Sequence, residues 1–162
     1  TPRIEYAPGK GEAYTNLNDF GAVVTAAGAA GQASFDARGR LMTAGREPVP
    51  GGDVQYRMRY RILEEAVEIV AGVDASASVG DGELHFILPV VSRSGEAVAA
   101  SGADAVRITK LKGTLVVRTD ASGGFEAIPA ERTFNLVPGF ECVPLRIAMR
   151  PGKDVSVRIE TA

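Results

Sequence analysis

Apolar and polar residues alternate with a period of two in the stretch QYRMRYRIL, Gln55 to Leu63. Tyr56, Met58, Tyr60 and Ile62 fall on one parity, and Gln55, Arg57, Arg59 and Arg61 on the other. Successive side chains of a strand point to opposite faces, so this pattern predicts a strand with one buried and one solvated face. The same period recurs in VPLRIAMR, with Val143, Leu145, Ile147 and Met149 against Arg146 and Arg150, and in DVSVRIETA, with Val155, Val157 and Ile159 inward. In ELHFILPVVS both parities are apolar: Leu84, Phe86 and Leu88 on one, Ile87 and Val91 on the other. Such a run predicts a central strand covered on both faces, or one that crosses between sheets. Pro89 inside it must lie where no ladder donor is needed.

Turn signals separate these runs at Ala37-Arg38-Gly39, Pro50-Gly51-Gly52, Gly80-Asp81-Gly82, Ser94-Gly95, Ser122-Gly123-Gly124, Pro138-Gly139 and Pro151-Gly152. Strands are expected near 3–6, 20–26, 32–36, 39–43, 53–63, 66–75, 83–91, 105–111, 114–119, 132–137, 142–149 and 154–161. The rhythm predicts an all-β fold, an antiparallel β-sandwich of about twelve strands with little or no helix. ILEEAVEIVAGV has helical spacing at Leu63, Val67 and Val70, yet Val67, Ile69, Ala71 and Val73 also alternate, and the strand reading is preferred. A hairpin with Glu64-Glu65 at its tip then sets Ile62 opposite Val67, Tyr60 opposite Ile69, Met58 opposite Ala71, Arg61 opposite Glu68 and Arg59 opposite Val70. All the apolar side chains land on one face in this register. Glu-Glu suits a tight primed turn poorly, which favours a longer loop. The small-residue segment TAAGAAGQAS is expected to be a loop between hairpin strands.

Composition narrows the function. With 162 residues the chain fits one domain, 1–162, large enough to bury a core. It starts at Thr1-Pro2, which reads as a mature protein or a domain excised from a larger chain. The first twenty residues carry no secretory pattern, and no apolar run approaches the roughly 18 residues that span a bilayer. A formal net charge of -2 argues against a nucleic-acid binder, which neutralises phosphates with a basic surface. Trp is absent and aromatic residues make up 6%, too few for the aromatic platform of many sugar-binding modules.

Catalytic and metal chemistry find little material. One Cys and one His cannot build a zinc site. Cys142 has no disulfide partner within the chain and reads as a small buried apolar residue. A catalytic thiol would need His85 as its base, and His85 lies in the most apolar run, where a satisfied core or rim histidine is expected. There is no Walker A motif, no G-x-G-x-x-G and no G-x-S-x-G elbow. No catalytic residue is named, no metal site is assigned and no cofactor is expected. Calcium is the one exception kept open, at Asp74, Asp81 and Glu83 of GVDASASVGDGE, whose spacing fits no EF-hand loop.

Arg57, Arg59 and Arg61 are the candidate ligand-binding residues. At two-residue spacing their guanidinium groups stand about 6.6–7 Å apart along one face, a repeat that suits successive carboxylates or sulfates of a polymer. The alternative is a solvated strand face neutralised by acids such as Glu68.

GGDVQYRMRYRI, the acidic–apolar alternation after it and GELHFILPVVS resemble the long strands of the C-terminal β-sandwich in heparinase II/III-like polysaccharide lyases. The resemblance covers residues 50 to 95 and the terminal strands. It implies an accessory domain of a larger secreted or periplasmic enzyme acting on acidic polysaccharide, with the catalytic residues elsewhere. Together these readings predict a non-catalytic accessory module of a carbohydrate-active bacterial protein. Its partner would be a covalently linked catalytic domain or an acidic glycan, with no nucleic acid and no membrane span, and its location extracellular or periplasmic. The alternative is a self-contained secreted structural or adhesion domain that binds a protein or its own copies through an edge strand such as 154–161. A small enzyme using Cys142 or a pair of acids is the remaining class.

Overall fold

Gln55–Ile62 and Ala66–Val73 form a hairpin in the expected register. Tyr60 faces Ile69, Met58 faces Ala71, Arg61 faces Glu68 and Ile62 faces Val67. The turn is tighter than expected: the Leu63 N–H donates to the Ala66 carbonyl at 2.8 Å. Among the described residues Arg46 alone is a non-glycine with positive φ, so Glu64 and Glu65 make this turn without primed-turn geometry.

The computed structural model describes residues 1–50, 54–74, 79, 84–134 and 140–162. In chain order its strands are β1 (Arg3–Tyr6), β2 (Tyr14–Thr15), β3 (Val23–Ala29), β4 (Gln32–Arg40), β5 (Gln55–Ile62), β6 (Ala66–Val73), β7 (Leu84–Val91), β8 (Val98–Ala100), β9 (Ala105–Lys110), β10 (Gly113–Thr119), β11 (Thr133–Phe134), β12 (Glu141–Ala148) and β13 (Val155–Thr161). Among the described residues the only helix is one 3₁₀ turn, Asn16–Asn18. The strands build a five-stranded sheet, β11-β12-β7-β1-β2, and an eight-stranded sheet, β3-β4-β5-β6-β13-β10-β9-β8, with antiparallel pairing throughout. The all-β sandwich is as expected.

The two sheets share one core. Ile4, Leu84, Phe86, Leu88, Val143, Leu145 and Ile147 come from the smaller sheet, and Tyr56, Met58, Ile69, Ala71, Val106, Val117 and Val157 from the larger. Fully burying such a side chain contributes roughly 1.5–3 kcal/mol, so this cluster dominates stability. β7 is central and apolar on both parities, and Ile87 on its outer side is also buried. Pro89 stands opposite Pro144, a position where neither residue has a donor to offer. β1 pairs β7 only as far as Ile87, so Pro89 owes no donor on that side either.

Five strands do not cover eight, and the burial of β5 shows it. Met58 is 2% exposed, whereas Ile62 on the same parity is 45% exposed. Tyr60 is half-buried and packs against the core edge. The parity expected of Tyr56, Met58, Tyr60 and Ile62 is observed; full burial at the Ile62 end is not, because the covering sheet stops short of it.

The N-terminal third departs furthest from expectation. TAAGAAGQAS is no loop: it runs along β3, turns at Ala30-Gly31 with Gly31 at φ +79° and enters β4. Ala and Gly carry too little side chain for periodicity to show, and the backbone ladder holds the pair. Ala37-Arg38-Gly39 is no turn either, since these residues lie within β4, near its end, and face Met58, Arg57 and Tyr56. Gly39 serves close approach instead, because a Cβ there would run into the Asp19 carboxylate and the Tyr56 ring. The strands expected at 32–36 and 39–43 are therefore mostly one strand, β4, and the one expected at 20–26 begins at Val23. β2 and β8 are too short for alternation to reveal. Strand 154–161 is not an edge: β13 lies between β6 and β10. The turn signals at Gly80-Asp81-Gly82 and Pro138-Gly139, Gly51-Gly52 of the turn expected after Pro50, residues 53, 75 and 83 at the ends of expected strands, and residues 135–137 of the strand expected at 132–137 lie outside the described residues.

Candidate functional site

The three arginines of β5 project from the outer face of the eight-stranded sheet, away from the core, and each meets an acid. Arg61 faces Glu68 across the β5–β6 ladder, Nη1 to Oε2 at 3.0 Å. Arg59 faces Asp36 across the β4–β5 ladder, Nε to Oδ1 at 2.8 Å. Arg57 stands opposite Gly72, and its guanidinium extends past that residue to Asp154, with Asp74 at 3.6 Å. Gly72 makes this possible, since a Cβ there would collide with Asp154 and the Arg57 guanidinium.

The pairs continue across the sheet as a chain of alternating charge. Glu68 also receives Arg158 of β13 at 2.6 Å, Arg158 reaches Glu160 at 2.9 Å, and Glu160 approaches Arg118 of β10 at 3.5 Å. Hydrogen bonds from Arg158 and then Arg118 hold the Glu160 carboxyl below the usual range. The carboxylates of Glu160 and Glu68 raise the Arg158 guanidinium. Arg57, Arg59 and Arg61 are about half exposed, so each pair contributes roughly 0–1 kcal/mol and is open to competition from a dissolved anion.

One residue breaks the balance. Arg38 of β4 stands directly opposite Arg57 of β5. Among the described residues Arg38 has no acidic partner, although it lines a shallow depression with Val23, Thr25, Asp36 and Arg59. Like charges directly opposite each other across a ladder are unfavourable. Arg38 is thus a cation without an acidic partner among the described residues, beside Arg57 and Arg59, which Asp154, Asp74 and Asp36 neutralise. Sequence reasoning missed Arg38 because it read Ala37-Arg38-Gly39 as a turn.

The other face, outside the five-stranded sheet, holds the remaining chemical groups. His85 Nε2 lies 3.0 Å from Glu126 Oε1, and Arg146 Nε lies 3.2 Å from Glu126 Oε2. The Glu126 N–H donates to the Arg146 carbonyl at 2.9 Å, which fixes the loop that carries it. Cys142 is buried with Sγ 3.4 Å from Thr133 Oγ1. On the β7–β12 ladder Cys142 faces Val91 and Ala148 faces His85, so thiol and imidazole are separated by roughly 20 Å of strand. This removes a Cys142–His85 nucleophile and base. Asp74 of the acidic loop sits beside Arg57; Asp81 and Glu83 lie outside the described residues. No group of three His, Cys, Asp or Glu among the described residues could hold a metal ion. No helix among them is long and apolar enough to cross a membrane.

Comparison with known proteins bears on the whole chain. The family model described as the ulvan lyase C-terminal domain matches residues 1–162. The chain belongs to the ulvan lyase C-terminal domain family. A broad-specificity ulvan lyase from Formosa agariphila is 25% identical over 147 residues, covering 91% of this chain and 22% of the relative. The chain therefore spans about a fifth of the length of that lyase. The resemblance drawn from the sequence holds at the level of a polysaccharide-lyase C-terminal domain, and the family matched is that of the ulvan lyases. An accessory module of a carbohydrate-active protein is the role this membership fits.

Proposed function

We propose that residues 1–162 form one non-catalytic module of a longer polysaccharide lyase, and that the outer face of its eight-stranded sheet holds the acidic polysaccharide on which that enzyme acts. The observation that carries the glycan-binding part is the opposition of Arg38 and Arg57, with Arg59 beside them. Guanidinium groups bind carboxylates and sulfates bidentately. A polymer with an acidic group every few ångströms relieves the Arg38–Arg57 repulsion and exchanges the weak pairs of Arg59 and Arg61 for its own. The ligand is an acidic glycan, and the face works without a metal. Because polymeric substrates are met outside the cytoplasm, the module is extracellular or periplasmic. The catalytic domain it accompanies has the helical barrel of the heparinase II/III-like lyases, a reading supported by the strand texture of residues 50 to 95.

The test uses the full-length lyase with Arg38, Arg57, Arg59 and Arg61 replaced by Ser. A binding face predicts a KM for acidic polymer raised about tenfold or more, with kcat and the turnover of short oligosaccharides unchanged. Unchanged kinetics on the polymer overturn the arginine face as the site.

A further inference from the structure

Of the four edge strands among the described residues, β2 has two residues, β8 has three, and β11 is described at Thr133–Phe134. The fourth, β3, has seven residues, Val-Val-Thr-Ala-Ala-Gly-Ala, all exposed. Sheet edges are normally blunted by short strands, charges or proline, and β3 has none of these. Its ribbon with β4 also overhangs the sandwich. Val24, Phe35 and Ile62 lie on the core-facing side of the sheet, yet are 62%, 38% and 45% exposed. The apolar face that elsewhere meets the five-stranded sheet is left largely exposed here, with no strand of the smaller sheet over it among the described residues.

We infer that this overhang seats the catalytic portion of the same polypeptide. An apolar surface of the lyase domain lies over Val24, Phe35 and Ile62, and the β3 backbone offers hydrogen bonds along its rim. This deepens the accessory-module reading and rests on it. A second copy of the chain fits less well. Two-fold pairing of β3 with β3 would satisfy the backbone but leave both apolar faces bare, side by side, and the large side chains lie on the face. The Formosa agariphila lyase has more than three quarters of its length outside the matched segment, ample chain for a covering domain. A covalent tether gives that domain a high effective concentration, so a modest patch suffices.

The experiment is hydrogen exchange on the full-length lyase, comparing wild type, Phe35→Lys, and Leu111→Lys in a turn 97% exposed and distant in the fold. Docking predicts protected β3 amides in wild type and exchange about tenfold faster in Phe35→Lys. β7 and β12 should keep their protection, showing an intact sandwich, and Leu111→Lys should match wild type. β3 amides that exchange freely in wild type overturn the proposal, as does a wild-type dimer in light scattering that Phe35→Lys splits. Free β3 beside a lyase domain removes the docking alone. A full-length polypeptide without any lyase domain removes the accessory reading itself.

Discussion

Arg61 and Glu68 stand directly opposite each other on β5 and β6, and the same Glu68 carboxylate also holds Arg158. One acid therefore restrains two cations of the outer face. Glu68→Gln should free Arg61 and loosen Arg158, which Glu160 still holds, raising the salt concentration that elutes the chain from an immobilised acidic polysaccharide. The unfolding free energy should change by less than about 1 kcal/mol, as for other exposed pairs. Elution at lower salt than wild type would show that Glu68 helps the face rather than competing with its ligand.

The uncovered end of β5 gives a contrast in stability. Met58→Ala should cost about 2–5 kcal/mol, because it empties a fully enclosed site. Ile62→Ala in the isolated chain should cost about 1 kcal/mol or less, since nearly half of that side chain is already in water. Urea unfolding of both variants checks this; equal costs would mean that the smaller sheet covers more of β5 than the structure shows.

Gly39 is a position of close approach. The Asp19 carboxylate beside it accepts from the Arg40 N–H at 2.7 Å and the Gly21 N–H at 3.0 Å. Gly39→Ala should push that carboxylate and the buried Tyr56 ring aside, at a cost of about 1–3 kcal/mol. A thermal melt reads the loss, and an unchanged melting temperature would return Gly39 to an ordinary strand position.

Acid should weaken the fold and so should strong base. The Ser94 N–H and hydroxyl hold Glu141 low, the Lys110 ammonium holds Glu96 low, and Arg158 does the same for Glu160. Carboxyls with lowered folded pKa contribute stability above their unfolded value of about 4.3 and lose it as pH falls through the folded values. Burial pushes Tyr56 and Tyr60 up to about 12, so their contribution is complete below their ordinary value and disappears as pH rises through about 12. Urea midpoints across the pH range should show a plateau that drops at both ends. A midpoint that rises below pH about 4.3 would contradict the carboxylate part.

Much of the fold was legible because β5, β6, β12 and β13 carry large apolar side chains on one parity and β7 on both, and the β5–β6 register follows from matching those parities. β3 and β4 were misread because Ala, Gly and Ser leave no alternation to detect, and because Gly39 looks like a turn residue when its role is to admit Asp19. The three arginines were visible as a stripe, but their partners were not. Asp36, Asp74 and Asp154 join them only through strand order and, for Arg57, through the gap at Gly72. Arg38 was lost with the misread strand, and Glu126 beside His85 sits in a loop with no pattern of its own.

The most direct measurement is retention of the 162-residue chain on immobilised acidic polysaccharide under a salt gradient, for wild type and for the chain with Arg38, Arg57, Arg59 and Arg61 changed to Ser. Wild type should be retained until salt abolishes binding and the variant should not be retained, with both proteins melting within a few degrees of each other. Equal retention of the two, or none of either, would contradict the arginine face as the glycan-binding surface.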